Sequence, residues 1–296
     1  MKILLTGSTG QLGKELIKNK PNYVDLIIPN RNILNLENGE DCYNSIKNIK
    51  PDWVINSGAY TNVENAEKNQ KLAFKINCKG PFNFAKAIGD FGGKLLQLST
   101  DFVFDGNQNI PYSPKDQRNP INIYGKSKAE GEILIEKTLP NSNKYLILRT
   151  SWLMGPIGKN FAINILKLLK ERENLSIVND QYGSPTSTNS LTKVIWKIIE
   201  CDYRNQYINM PNILHWSDSG VASWYDVAVQ IKEIAIELDI LKHDKLILPI
   251  SSSKYPTFAK RPKFSVLNST LTNNLLNLPH NHWRSSLKDF MKLIKY

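Results

Sequence analysis

An α/β fold with a doubly wound parallel sheet is predicted by three observations. Short, continuously apolar runs alternate with longer segments of helical periodicity, a glycine-rich turn joins the first run to the first helical segment, and the alternation persists to about residue 150. Apolar runs with no polar face belong to strands covered on both sides, and the intervening helices supply that cover. The pattern assigns strands to Lys2–Thr6, Val24–Ile28, Trp53–Asn56, Lys94–Ser99, Tyr145–Thr150 and Leu175–Val178. Helical patterns occupy Gln11–Lys20, Ala66–Ile76 and Tyr124–Thr138, then Asn160–Glu171, Asn189–Cys201 and Ser223–Leu238.

The turn after the first strand reads Gly7-Ser8-Thr9-Gly10-Gln11-Leu12-Gly13. Glycines at this spacing allow a tight turn, close approach of backbone to a pyrophosphate, and close packing of helix on strand. The helix N-terminus then offers free N–H groups to phosphate. A glycine trio also serves a plain βα turn; its place at the first strand–helix junction points to a dinucleotide and a Rossmann-type sheet. The acid that would grip an adenosine ribose after the second strand is missing, since the segment reads Ile28-Pro29-Asn30-Arg31-Asn32. Its loss removes repulsion against a 2′-phosphate, and Arg31 is either the partner of that phosphate or an exposed loop arginine. NADPH is the expected cofactor, with NADH tolerated.

Beyond residue 150 the periodicity loosens into Pro-, Ser- and Asn-rich loops at Asp180–Ser190, Asn209–Ser219 and Ser251–Arg261. Polar loops on a rigid scaffold are where substrate sites are assembled. Residues 1–150 are therefore expected to form the dinucleotide-binding unit, with later segments returning to it. Residues 151–296 are expected to form mainly a smaller, mixed C-terminal substrate-binding lobe.

Composition narrows the class further. Hydrophobic residues make up 41% and charged residues 22%, ordinary values for a globular chain. No apolar run approaches the roughly 18 residues of a membrane span, and the run in MKILLTG is too short for a signal peptide, so no membrane association is expected. Cys42, Cys78 and Cys201 are widely spaced and odd in number, which fits a cytoplasmic chain without disulfides or thiolate metal sites. The formal charge of +11 is spread over scattered lysines with no arginine-rich block. It suits a lysine-rich surface as well as phosphorylated ligands. No nucleic-acid partner is expected.

Tyr124 and Lys128 stand four residues apart at the start of a helical pattern, so both leave the same face. A free tyrosine titrates near 10, and a nearby ammonium favours the phenolate, which is what a proton-transferring tyrosine needs. Lys128 also has the reach to meet nicotinamide ribose hydroxyls. Thr100 and Asp101 end the fourth strand, at the carboxyl edge where open α/β sheets bind ligands. Thr100 there is a carbonyl-oxygen partner, or both residues are turn and capping groups.

Taken in order, the segments GSTGQLG (7–13), AYTNVENAE (59–67), LSTDFVFDG (98–106), NPINIYGKSKAEGE (119–132), LRTSW (148–152), NDQYGSPT (179–186) and YPTFAKRP (255–262) resemble the dTDP-4-dehydrorhamnose reductases. This is a family of the extended short-chain dehydrogenase/reductase type, and the likeness spans nearly the whole chain. The resemblance implies Tyr124 as proton donor, Lys128 as its tuner and ribose contact, and Thr100 as carbonyl partner. It also implies a sugar pocket lined by Asp101, Val63 and Trp152, the last offering a flat indole to the sugar. Ala59, Tyr60 and Thr61 match the segment beside the adenosine and ribose, and Asn35-Leu36 matches an adenine contact that is Asp-Leu in many relatives. Arg261 is a candidate for the diphosphate of a dTDP-sugar, or a structural ion-pair partner. Some relatives dimerise around magnesium through two glutamates; Glu15 matches the first, but Asn189 replaces the second, so no metal and no Mg-bridged dimer are expected. A monomer or weak homodimer follows. Related readings are another sugar-nucleotide 4-ketoreductase or epimerase, and a non-catalytic regulatory subunit on the same fold.

Overall fold

In the computed structural model, residues 1–140, 143–206 and 210–294 are described. Six parallel strands form the main sheet: β1 (Lys2–Thr6), β2 (Asp25–Ile27), β3 (Trp53–Asn56), β4 (Lys94–Thr100), β5 (Tyr145–Thr150) and a late arrival at Ile213–His215. Between β5 and that late strand lie β6 (Leu153–Met154), β7 (Asn174–Val178), β8 (Tyr182–Gly183) and β9 (Thr186–Ser187); the late strand is β10. β11 (Ala222–Ser223) and β12 (Leu246–Ile250) follow. The spatial order of the main sheet is β10-β5-β4-β3-β1-β2. The chain thus works outward from β1 in both directions, the doubly wound arrangement.

Side chains along each strand part to opposite faces. Ile3, Leu5, Trp53, Ile55, Leu96, Leu98, Leu146 and Leu148 enter one core, and Leu4, Val54, Leu95, Tyr145 and Ile147 the other. Both faces being apolar, the strands read as unbroken hydrophobic runs. Helices α1 (Gln11–Lys18), α2 (Gly39–Ile49), α3 (Val63–Lys68) and α4 (Gln70–Phe74) follow in order. A π turn at Lys75–Lys79 leads from α4 into α5 (Gly80–Phe91), and α6 (Ile123–Thr138) comes next. The second half adds α7 (Phe161–Glu171), α8 (Thr188–Tyr203), α9 (Trp224–Glu237), α10 (Thr270–Leu276) and α11 (Trp283–Met291). A separate core joins α7, α9 and α11 through Ile165, Leu169, Val227, Ile231, Leu287 and Phe290.

Three differences from the sequence reading have physical causes. Leu175–Val178 does form a strand, one residue longer, but it pairs in parallel with β12 in a separate two-stranded sheet. The sixth strand of the main sheet is instead β10, inside the stretch read as the loop Asn209–Ser219; Asn209 itself lies outside the described residues. Three residues flanked by polar sequence carry no periodicity, and the partner of β10 lies some 65 residues upstream, so pairing with β5 decides the outcome. The pattern at Ala66–Ile76 divides at Asn69, whose backbone is not helical (φ −114°, ψ 46°). The second half also returns to the main sheet through α8, which lays Leu191, Val194, Ile195, Ile198 and Ile199 on the face carrying Leu5 and Ile55.

Candidate active site

The phosphate turn is built for close approach. Gly7 has φ +69°, and a Cβ there would stand 2.6 Å from the Gly58 nitrogen. A Cβ on Gly13 would clash with the Gly7 carbonyl, and one on Gly58 would lie 2.6 Å from Leu36 Cδ1. Gly10 is the N-cap of α1 and supplies no side-chain cap, so the first N–H groups of the helix remain available. These residues fit a dinucleotide pyrophosphate. Leu12 is buried in the core, so only its backbone belongs to the turn. Gln11 reaches the second half of the chain, accepting from Asn160 Nδ2 at 2.7 Å.

Below the turn, side chains tie the strand ends together. Thr6 donates to Asn56, Asn56 to Gln97 at 2.7 Å, and Gln97 to the Leu98 carbonyl at 2.8 Å. That carbonyl also receives Lys128 Nζ at 2.5 Å. Ala59, Tyr60 and Thr61 follow β3. Buried Asn77, in the π turn, clamps Tyr60 through both its backbone groups, at 2.8 and 3.0 Å, and donates to Ser127 Oγ of α6 at 3.0 Å. The π turn thus aims an amide where regular helical spacing would not.

Asn122 caps α6 by accepting from the Gly125 N–H at 2.7 Å, and its own amide donates to the Lys260 carbonyl at 2.8 Å. Tyr124, in the first turn, meets Phe102 edge-on at 5.9 Å. Burial pushes its phenol up to about 12; a hydrogen bond with Thr100 acts the other way, and the Asp101 charge adds to the rise. Lys128 is buried and pushed down to about 8 by that burial, with Glu132 opposing the fall. Burial is the largest influence on the phenol, and the Lys128 ammonium rests on the Leu98 carbonyl. Thr100 Oγ1 donates to Asp101 Oδ1 at 3.0 Å and accepts from the Phe102 N–H. Asp101 is 2% exposed, and burial raises its carboxyl to about 6 while the Ser265 and Thr100 hydroxyls lower it. Thr100, Asp101, Tyr124 and Lys128 converge at the carboxyl end of β4, on the sheet edge that also carries the phosphate turn.

The match to known proteins follows this geometry along the chain. The model of the RmlD substrate binding domain matches residues 1–295. The chain belongs to the RmlD substrate binding domain family. Among relatives, a dTDP-4-dehydrorhamnose reductase of Aggregatibacter actinomycetemcomitans is 35% identical over 291 residues, 97% of each chain. A crystal structure of a dTDP-4-dehydrorhamnose reductase from Clostridium acetobutylicum is 37% identical, with a TM-score of 0.89 over 99% of both chains. Another from Bacillus anthracis, in complex with NADP, is 34% identical with a TM-score of 0.88, again over 99% of both.

Around this RmlD-family core the other expected residues take varied positions. Arg31 is exposed and ion-paired with Glu37. Asn35 turns its side-chain oxygen to the Glu37 N–H at 3.1 Å, whereas Leu36 covers Gly58 at the end of β3. Val63 opens α3, and its neighbour Glu64 holds Arg261 Nη2 at 2.9 Å and the Phe258 N–H at 2.9 Å. Arg261 is thus an ion-pair partner across the two halves. Trp152 adopts φ +45°, a left-handed conformation costly for a bulky residue. Its indole stacks on Trp224 at 3.5 Å and 5°, and a Cβ on Gly183 would stand 2.5 Å from it. Trp224 thus covers one face of the indole. Glu15 accepts from Asn19 Nδ2 at 2.7 Å.

Sequence reasoning passed over Asn77, Glu64, Trp224 and the pair Glu132–Arg149. Two of these left a signal. Glu132 continues the four-residue stripe of Tyr124 and Lys128, and Arg149 is a charge inside a strand otherwise apolar up to Thr150. A charge in such a strand must be paired.

Proposed function

We propose that this chain reduces the C4 ketone of dTDP-4-dehydro-β-L-rhamnose to dTDP-β-L-rhamnose with NADPH, NADH being tolerated, in the biosynthesis of dTDP-rhamnose for surface polysaccharide. One observation carries the reading: a phenol, a threonine hydroxyl and a buried lysine meet at the carboxyl end of β4, on the same edge of the sheet as a glycine turn open to pyrophosphate. Membership of the RmlD family along the whole chain, and reductases of this name among its relatives, support the substrate. The NADP complex of a relative supports the cofactor.

Gly7, Gly10, Gln11, Leu12 and Gly13 hold the pyrophosphate, and Asn35, Leu36, Ala59, Tyr60 and Thr61 border the adenosine. Arg31 meets a 2′-phosphate on release from Glu37. When bound, the nicotinamide supplies the hydride equivalent. Tyr124 gives its proton to the C4 oxygen as negative charge develops there, and the Thr100 hydroxyl donates a hydrogen bond to the same oxygen. Lys128 holds the nicotinamide ribose and stabilises the phenolate left behind. Val63, Asp101 and Trp152 border the sugar, and Arg261 exchanges Glu64 for the diphosphate. No helix among the described residues is long and apolar enough to cross a membrane. A monomer or weak homodimer without bridging magnesium fits an engaged Glu15 and an asparagine at position 189.

The test is NAD(P)H oxidation, followed by near-ultraviolet absorbance, with enzymatically generated dTDP-4-dehydro-L-rhamnose. Rapid oxidation yielding dTDP-rhamnose is expected; cofactor binding with no oxidation of either nucleotide overturns the reading.

A further inference from the structure

We propose that Glu132 is a positioning residue for the reduction, setting the charge and seat of Lys128 and itself held in balance by Arg149 and Arg118. The inference rests on the roles given above to Tyr124, Lys128 and Thr100.

The geometry behind it is a zipper between α6 and the end of β4. Tyr124, Lys128 and Glu132 leave one helix face at four-residue intervals. They engage three consecutive strand residues: the phenol meets the Thr100 hydroxyl, Lys128 Nζ donates to the Leu98 carbonyl, and Glu132 accepts from the Ser99 hydroxyl. A shift of Glu132 therefore moves the strand residues that seat both other groups.

Glu132 is 1% exposed, and its charge is amply matched. Arg149 grips it with Nε and Nη2 at 3.0 and 2.7 Å, and Arg118 Nε adds a third contact at 2.5 Å. Arg118 also reaches Glu136 at 2.7 Å. Burial resists ionisation of Glu132, but the two guanidiniums and the Ser99 hydroxyl outweigh it and hold the carboxyl below its ordinary range. Behind Arg149, His215 lies 3.2 Å from Nη1; burial and that guanidinium push it down to about 3, so it stays neutral. Two carboxylates thus face two guanidiniums, and Lys128 is the remaining buried cation. Other titratable groups on α6's first turns and on the elements packed against it are Tyr124, Lys126 and Glu130, Lys94 of β4 and Asp101 after it, Glu64, Glu67 and Lys68 on α3, Lys71 on α4, Cys78 with exposed Lys75 and Lys79 on the π turn, and Lys86 and Asp90 on α5. Glu132 is the charge acting on Lys128 with the sign that keeps it protonated.

A purely mechanical salt bridge and a charge-setting one differ in sign. Removing Glu132's charge leaves Lys128 beside an excess of guanidinium, so it loses its proton at lower pH. Removing Arg118 frees more of the Glu132 field, so Lys128 keeps its proton to higher pH. The experiment measures NADPH affinity by fluorescence titration, and kcat, from pH 6 to 10 in the parent, Glu132→Gln, Glu132→Asp and Arg118→Gln. The parent is expected to lose affinity and turnover around pH 8. In Glu132→Gln that fall moves down by about one pH unit, leaving affinity about fivefold weaker near pH 8 and approaching tenfold at higher pH. In Arg118→Gln it moves up, and in Glu132→Asp, which keeps the charge, it stays near the parental pH. Falls that stay in place, or that move the same way in both glutamine variants, overturn the proposal. Should Glu132→Gln not fold, Arg118→Gln decides alone, since Arg118 is partly exposed: an upward shift supports the proposal and an unmoved fall refutes it. A parent that binds NADPH with this pH dependence yet reduces no keto-sugar nucleotide refutes the assigned reaction and leaves the Glu132 inference standing.

Discussion

A phenol held near 12 stays protonated through the neutral range, so Tyr124 meets its substrate as an acid. Tyr124→Phe keeps the ring against Phe102 and removes only the proton. NADPH affinity is expected to change by less than about twofold while turnover falls about 10²–10⁴-fold; an unreduced turnover number would remove Tyr124 from the chemistry. Asp101 yields a stability prediction. Its folded pKa of about 6 lies above the ordinary value of 3.8, so the folded state binds the extra proton between those limits. Burial of the carboxylate therefore costs nothing below about pH 4 and its full amount above about pH 6. Asp101→Asn, which cannot ionise, should gain on the parent by up to about 3 kcal/mol between pH 4 and pH 7. Urea denaturation at the two pH values measures this, and a gap that does not widen counts against it. The Tyr124–Lys128 pair was legible because helical spacing alone brings the two side chains to one face. The seat of Lys128 on Leu98 was not, because it depends on how α6 docks on β4.

Elements position these residues through contacts that exclude side chains. The Gly7–Gly13 turn was readable as glycines at a strand–helix junction, and each clash that a Cβ would create explains one of them. Gly13→Ala should force the turn open while leaving the sheet intact. Cofactor affinity is expected to drop at least about tenfold, or about 1.4 kcal/mol, by fluorescence titration, with the far-ultraviolet circular dichroism unchanged. Parental affinity would mean that the turn does not grip the pyrophosphate. The π turn at Lys75–Lys79 was not readable, since its sequence is compatible with regular helix. Its reason is tertiary: Asn77 must reach both Tyr60 and Ser127. Likewise, the Trp152–Trp224 stack joins a residue between β5 and β6 to the first residue of α9, a pairing that no local pattern announces.

Across the whole molecule, the main sheet is finished by the second half of the chain. β10 closes its edge beside β5, and α8 covers one face. Leu214, fully buried within β10, gives the measure: Leu214→Ala should cost about 2–5 kcal/mol in urea unfolding, the price of a core cavity. A cost below about 1 kcal/mol would make β10 peripheral. The doubly wound class was legible from the first five strands, yet the position of the sixth came from pairing across distance. That arrangement matters while the protein is being made. When residue 150 leaves the ribosome, β5 offers an open hydrogen-bonding edge, and Leu5, Ile55, Leu96 and Leu148 still lack the α8 side chains that cover them. Such an edge beside bare apolar surface invites association between nascent chains. That exposure ends only when α8 and β10 have left the ribosome, and a stall in that interval prolongs it.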